Sequence, residues 1–180
     1  MPRKRRSPRN EAHLEVVDQA NKPMAVFSRS LVHEQKLLHR RVTVLLYHKK
    51  KKLYLQKRSS NQKAHPGCWD VSVSGHVQAG ESCLDAALRN LRDDIGVTLN
   101  RLQVVCQLHS SPGTGYEFVT LYSTGLCDQI PVPNPAEVSQ GMFVEKHELD
   151  YLVEAFEHLL TPALLMYWRL GRLFSGISAL

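Results

Sequence analysis

No apolar run in this 180-residue chain approaches the roughly 18 residues a membrane helix needs, which excludes a helical membrane span. Cysteine is scarce and scattered: Cys68, Cys83, Cys106 and Cys127 form no CxxC pair and no disulfide-dense pattern. A reduced, cytoplasmic compartment with structural thiols is therefore expected. Residues 1–10 lack the apolar segment of a signal peptide, and no internal repeat is present. Charged residues make up 22% and hydrophobic residues 43%, an ordinary globular balance that argues against extensive disorder. The length suits one domain with a sizeable core. We expect a basic flexible tail over Met1–Asn10 and a single domain over residues 11–180.

The formal charge of +6 invites a nucleic-acid partner, but it is concentrated in two places. Arg3, Lys4, Arg5, Arg6 and Arg9, with Lys49 to Lys52, supply nine of the 23 cationic side chains, and the remaining 14 are outnumbered by 17 acids. The body is mildly acidic, so basicity sits in a tail and a turn rather than on a binding face, and nucleic acid is disfavoured.

Leu14–Val17 and Met24–Ser28 are β-prone runs around an Asn- and Pro-containing turn, which predicts a hairpin. Val42–Tyr47 and Lys52–Gln56 predict a second pair around a solvated lysine turn. A polar loop over Ser59–Gly67 leads into a strand over Trp69–Ser74, where Trp69, Val71 and Val73 alternate. Ser82 with Asp85, the recurrence of Leu84, Leu88 and Leu91, and the stop at Gly96 predict a helix from Ser82 to Ile95. Leu102–Leu108, Glu117–Thr124 and Gln140–Val144 read as strands. Glu148–Leu160 and Pro162–Phe174 read as helices, the second capped by Thr161. The sum is a mixed sheet covered by helices.

The chemistry is concentrated between Gly75 and Val97. A loop glycine, Gly75, is followed by the helix-start acid Glu81, then by Arg89, the adjacent acids Asp93 and Asp94, and the exit glycine Gly96. Positions 90, 93 and 94 share one helical face, and oxygen ligands on such a face suit magnesium or manganese. An Asp-Asp pair alone is most simply a solvated helix face. The whole spacing is far more specific.

That stretch resembles the Nudix box, which runs Gly, five residues, Glu, seven residues, then Arg-Glu-aliphatic-any-Glu-Glu-any-Gly-aliphatic, and the spacing matches without a gap. Three positions depart from it. Asn90 stands at the first glutamate of the pair after arginine, and an amide cannot take up a proton as a carboxylate base does. Asp93 and Asp94 are each one methylene shorter than the family's glutamates.

The resemblance extends to the isopentenyl-diphosphate-isomerase-like branch through Gln56-Lys57-Arg58, Pro66-Gly67-Cys68-Trp69, Ser72-Val73-Ser74-Gly75-His76, Leu38-His39-Arg40 and Thr161-Pro162-Ala163-Leu164. It implies that His39 and His76 stand at histidine metal ligands, with His33 one position off a third. It also implies that Glu117 stands at a later glutamate, with Gly115 where a second acid would be. Arg58 stands at a phosphate-binding arginine, and Gln62, beside Lys63, at a phosphate-binding lysine. The isomerase's acid–base cysteine is Ser74 here, and a hydroxyl is a far poorer acid than a thiol.

The resemblance therefore implies an α+β Nudix fold, a mixed β-sheet sandwiched between helices. The expected activity is metal-dependent hydrolysis of a nucleoside- or other organic diphosphate. An isomerase-like enzyme and a catalytically impaired diphosphate-binding domain are the alternatives. Catalytic roles are expected for Glu81, Arg89, Asp93, Asp94 and Glu137, the last in a loop segment resembling one that carries a late glutamate in many Nudix hydrolases. Substrate contacts are expected from Arg58, Lys63, Trp69 and Glu117, with Tyr116 a further stacking candidate. Metal ligands are expected at Asp93, Asp94, Glu137, His39 and His76, holding Mg2+ or Mn2+. The expected partner is a small-molecule diphosphate, not a membrane, and a homodimer is compatible with this reading.

Overall fold

In the computed structural model, residues 11–175 and 177 are described; the basic tail expected over Met1–Asn10 lies outside them. The chain opens with the hairpin β1 (His13–Val17) and β2 (Pro23–Ser28), paired antiparallel as expected. A short helix α1 (Arg29–Glu34), not foreseen from the sequence, follows because Ser28 caps it, accepting from the Leu31 N–H at 3.4 Å.

Strand β3 (His39–His48) is the organising element. It pairs with β1, β4 (Leu53–Arg58) and β6 (Val73–His76) antiparallel and with β8 (Glu117–Cys127) parallel. The outer strands are β5 (Trp69–Asp70) and β9 (Val138–Val144) on β4, and β7 (Gln103–Leu108) on β8. The single strand expected over Trp69–Ser74 is thus two. At the break, Ser72 Oγ donates to the Tyr54 carbonyl at 2.6 Å and accepts from the Leu46 N–H at 2.9 Å, diverting backbone groups that a straight ladder would use.

Side chains alternate across β3 and so divide the core. Val42, Val44 and Leu46 face helix α2 (Cys83–Ile95), packing with Ala86, Ala87, Leu91 and Ile95. Leu45 and Tyr47 face the C-terminal helices α3 (Lys146–Phe156) and α4 (Pro162–Arg169), against Leu149, Val153, Leu164 and Tyr167. The sheet is therefore covered on both faces. Of the leucines whose spacing predicts α2, Leu91 is buried and Leu84 is exposed, and the small Ala86 and Ala87 make the close approach to the sheet. The last helix is shorter than expected and ends at Arg169 rather than Phe174. All four cysteines are free. No helix of the described residues is long and apolar enough to cross a membrane.

Candidate active site and metal centre

Helix α2 is fixed at both ends by local chemistry. Ser82 Oγ accepts from the Asp85 N–H at 3.1 Å, and Gly96 exits with φ 67°, a left-handed conformation that suits glycine. Arg89 clips the preceding loop to the helix. Its Nε and Nη2 donate to the two Glu81 oxygens at 2.7 and 2.8 Å, and Nη2 also reaches the His76 carbonyl at 3.1 Å. Glu81 further accepts from the Gln78 N–H at 3.0 Å. Both carboxylate oxygens are thereby engaged, which makes Glu81 a residue that holds the loop in place.

Asn90 is buried. It donates from Nδ2 to the Ala86 carbonyl at 2.8 Å, and its amide lies directly over Gly75, where any Cβ would collide with it. The glycine is required there for space. Gly75→Ala is expected to lower stability by about 1–3 kcal/mol in thermal unfolding, and Asn90→Ala in the same chain should recover part of the loss. Failure of the second change to help would mean that the clash lies elsewhere.

The acids gather at the C-terminal end of α2 because the following loop docks on it. The Val132 and Asn134 N–H groups donate to the Ile95 and Asp94 carbonyls, each at 2.8 Å, and the Ser59 N–H holds the Glu137 carbonyl at 2.9 Å. Asp93, Asp94 and Glu137 consequently line one wall of a cavity of about 640 Å³. Asp94 feels the crowding: burial first, then Glu137 and Asp93, push its carboxyl up to about 7. A divalent cation would relieve that repulsion, and carboxylate oxygens suit magnesium or manganese, but as placed the three side chains do not converge into one ligand group. Arg58 lines the same wall, donating to Asp70 at 3.2 Å and to Gln62 at 3.3 Å, while Gln62 in turn donates to Glu137.

The opposite end is built by the sheet. His39, Arg41 and Thr43 alternate onto one face of β3, where the register sets Arg41 across from His76, Thr43 across from Ser74, and His39 across from Glu117. His33 completes the group from α1. The left-handed Lys36 (φ 52°) and the Leu37 N–H bond to the Val32 carbonyl turn the chain so that this helix reaches the sheet. The ligand atoms of His33, His39, His76 and Glu117 all lie within 4.8 Å of one another. Among the described residues this is the one such group of three or more ligands; the acids of α2 do not form one.

The donors in this group are well suited to a metal. Glu117 Oε1 faces His39 Nε2 at 3.1 Å and His76 Nε2 at 3.0 Å, and His76 Nε2 faces His33 Nε2 at 3.1 Å. His39 Nδ1 lies 2.8 Å from the Leu37 carbonyl, an acceptor for an Nδ1–H when a metal takes the Nε2 lone pair. Burial pushes His76 down to about 3 and lowers His33 as well, which keeps both imidazoles neutral. Burial would raise the Glu117 carboxyl, but Arg41, with the His39 and His76 hydrogen bonds, outweighs it and holds the group well below the usual carboxylate range. Three imidazoles and one carboxylate suit manganese or zinc better than magnesium.

The cleft thus brings together Arg58, Arg89, Asp93, Asp94, Glu137, His76 and Glu117, with His39 buried behind them. It does not bring in four others, of which Glu81 is turned to Arg89 and the Gln78 N–H. Trp69 packs against the core beneath Lys57, whose Nζ lies 5.8 Å from the ring centroid, and Lys63 is an exposed loop residue outside the lining. As placed, neither of these two expected substrate contacts lines the cleft. Tyr116 also lies outside the lining, beneath Lys36. Glu117, expected to touch substrate, instead belongs with the histidines. Sequence reasoning missed Arg41 altogether, because its significance comes from neighbours 33 and 76 residues away.

Comparison with known proteins agrees with this architecture. The chain is 31% identical over 143 residues to an isopentenyl-diphosphate Delta-isomerase of Streptomyces griseus, a match covering 76% of this chain and 72% of that protein. It is 33% identical over 81 residues to an uncharacterized Nudix hydrolase, PA4841, of Pseudomonas aeruginosa, covering 45% and 48%. The crystal structure of DR0079 from Deinococcus radiodurans superposes with a TM-score of 0.75 at 23% identity, covering 87% of this chain and 98% of that one. With a NUDIX domain matched over residues 37–164, this chain belongs to the Nudix family.

Proposed function

We propose that the protein is a metal-dependent hydrolase that cleaves the diphosphate linkage of a nucleoside- or other organic diphosphate in the cytoplasm. The observation that carries this reading is the wall formed by Asp93, Asp94 and Glu137 beside Arg58 and Arg89 in one cleft. Asp93, Asp94 and Glu137 would hold magnesium or manganese, which supplies charge neutralisation of the diphosphate and acidifies a bound water. Arg58 is held by Asp70 so that its guanidinium faces the cleft, where it can bind phosphate oxygens. Water adds to one phosphorus, the bridging P–O bond breaks, and the monophosphate leaves. The water's proton passes to a carboxylate of this wall, a role that Asn90 cannot fill.

The histidine group favours a second reading, an isomerase like the Streptomyces relative, with the metal held by His33, His39, His76 and Glu117. Ser74 weighs against it: its oxygen is engaged by Arg41 Nε and Nη2 at 2.8 and 2.5 Å, so it is neither a thiol nor free to approach a carbon. The test is a screen of diphosphates with magnesium or manganese, reading phosphate and organic monophosphate by mass spectrometry. Loss of release in both Asp93→Asn and Asp94→Asn is expected. Unchanged release in both variants, or a product with a moved double bond and an intact diphosphate, would overturn the proposal.

A further inference from the structure

Arg41 is a charged side chain on the floor of the cleft, and nothing in the hydrolytic proposal uses it. It projects from near the start of β3, between His39 and Thr43 on the same face, and lines the cavity with Ser74, Glu117 and Tyr167. Its guanidinium is held from two sides. Nε and Nη2 converge on Ser74 Oγ at 2.8 and 2.5 Å, and Nη1 faces the two Glu117 oxygens at 3.4 and 3.2 Å. Thr43 Oγ1 is 3.0 Å from Tyr167 Oη, so the adjoining floor is polar too. The side chain is 24% exposed. Nη2 carries two hydrogens and spends one on Ser74, which leaves a second N–H with no acceptor among the described residues.

A fixed, part-buried guanidinium with a spare donor has two consequences for whatever lies above it. A hydrocarbon placed there would strip water from the charge and return no hydrogen bond, which is costly. An oxygen acceptor placed there would receive a charge-assisted hydrogen bond from a donor already oriented by Ser74 and Glu117, with little rotamer entropy left to lose. The site also disfavours any reaction that builds positive charge on carbon nearby, since the guanidinium would repel it.

We infer that Arg41 is a specificity-determining residue: anchored by Ser74, it selects diphosphates whose organic part carries an oxygen acceptor, as a sugar or nucleoside does, over those whose organic part is a hydrocarbon. This rests on the diphosphate-hydrolase reading for the placement of the phosphates on the Arg58 wall. It adds the chemical class of the group at the other end.

The experiment measures binding, so that it stands apart from turnover. Methylene-bridged diphosphates of adenosine, cytidine, ribose and isopentenyl alcohol, none of which can be hydrolysed at the bridge, are titrated calorimetrically into the natural protein, Arg41→Met and Ser74→Ala. At least one sugar-bearing probe is expected to bind the natural protein more than about 10-fold tighter than the isopentenyl probe. Arg41→Met should bring that ratio to within about 3-fold, chiefly by weakening the sugar probe, and Ser74→Ala should fall between. Thermal unfolding and manganese binding of each variant show whether the fold and the histidine group survive. The inference is overturned if no sugar probe binds, if the isopentenyl probe binds as tightly, or if a folded Arg41→Met keeps the ratio. Selective binding by a protein that hydrolyses no diphosphate would sustain Arg41's role while the hydrolase proposal failed.

Discussion

Asp94→Asn is expected to lower diphosphate turnover by about 10²–10³-fold and, in chelator at about pH 8, to make the protein more stable, by on the order of 2 kcal/mol after discounting for solvent. The two effects share one cause. Burial, Glu137 and Asp93 raise the Asp94 carboxyl from 3.8 to about 7 in the folded protein. Between those values the folded chain keeps a proton that the unfolded chain releases, so stability falls as pH rises through that window. An amide carries no charge to bury, and the penalty disappears. With magnesium or manganese present the order should reverse, because only the natural residue gains stability from the bound ion. Urea unfolding at about pH 5 and about pH 8, with chelator and with metal, tests this. A variant no more stable than the natural protein at the higher pH in chelator would show that Asp94 is not crowded by its neighbours.

Much of this arrangement is legible in the sequence wherever the signal is local. The caps at Ser82 and Thr161 and the exit at Gly96 each follow from a few adjacent residues, and each is found where it is expected. The wall formed by Asp93 and Asp94 is local too, since both sit on one helix. The histidine end is different in kind. His39, Arg41, Ser74 and Glu117 meet only because β3 pairs antiparallel with β6 and parallel with β8, and no short window of sequence fixes that pairing. His33 shows the same limit from the other side. By spacing it stands one residue off a ligand position, but the short helix α1 and its left-handed exit at Lys36 absorb the offset and deliver the ring to the cluster. Trp69 shows the reverse error. Its place next to a motif suggested a substrate contact, yet the parity of its short strand turns it to the core.

Glu117 is the residue whose loss the fold should tolerate least. It is 5% exposed, accepts from Arg41, and faces His39 Nε2 and His76 Nε2 at hydrogen-bond distance. Glu117→Ala leaves the Arg41 charge without its counter-ion in a cavity that cannot fully hydrate it, a change of about 3–5 kcal/mol by the behaviour of broken buried pairs. Glu117→Gln keeps the shape and one acceptor and should cost about 1–3 kcal/mol. Manganese binding at the histidine group should be lost in both. The pH profile separates the charge from the shape. Glu117 is held below its ordinary 4.5, so its contribution is present above that value and is lost as pH falls towards the folded one. His76, pushed from 6.5 down to about 3, adds a penalty that grows as pH falls through that interval, because the unfolded chain takes up a proton that the folded chain does not. In the Asp94→Asn background, which lacks the opposing proton uptake at Asp94, the metal-free protein should therefore weaken on acidification from about pH 6, and adding Glu117→Gln should flatten the profile below about pH 4.5. Adding Arg41→Met to Glu117→Gln removes both halves of the pair, and the double variant should regain stability over Glu117→Gln alone. A double variant no more stable than the single one would mean that the histidines, and not the guanidinium, set the cost of losing this carboxylate.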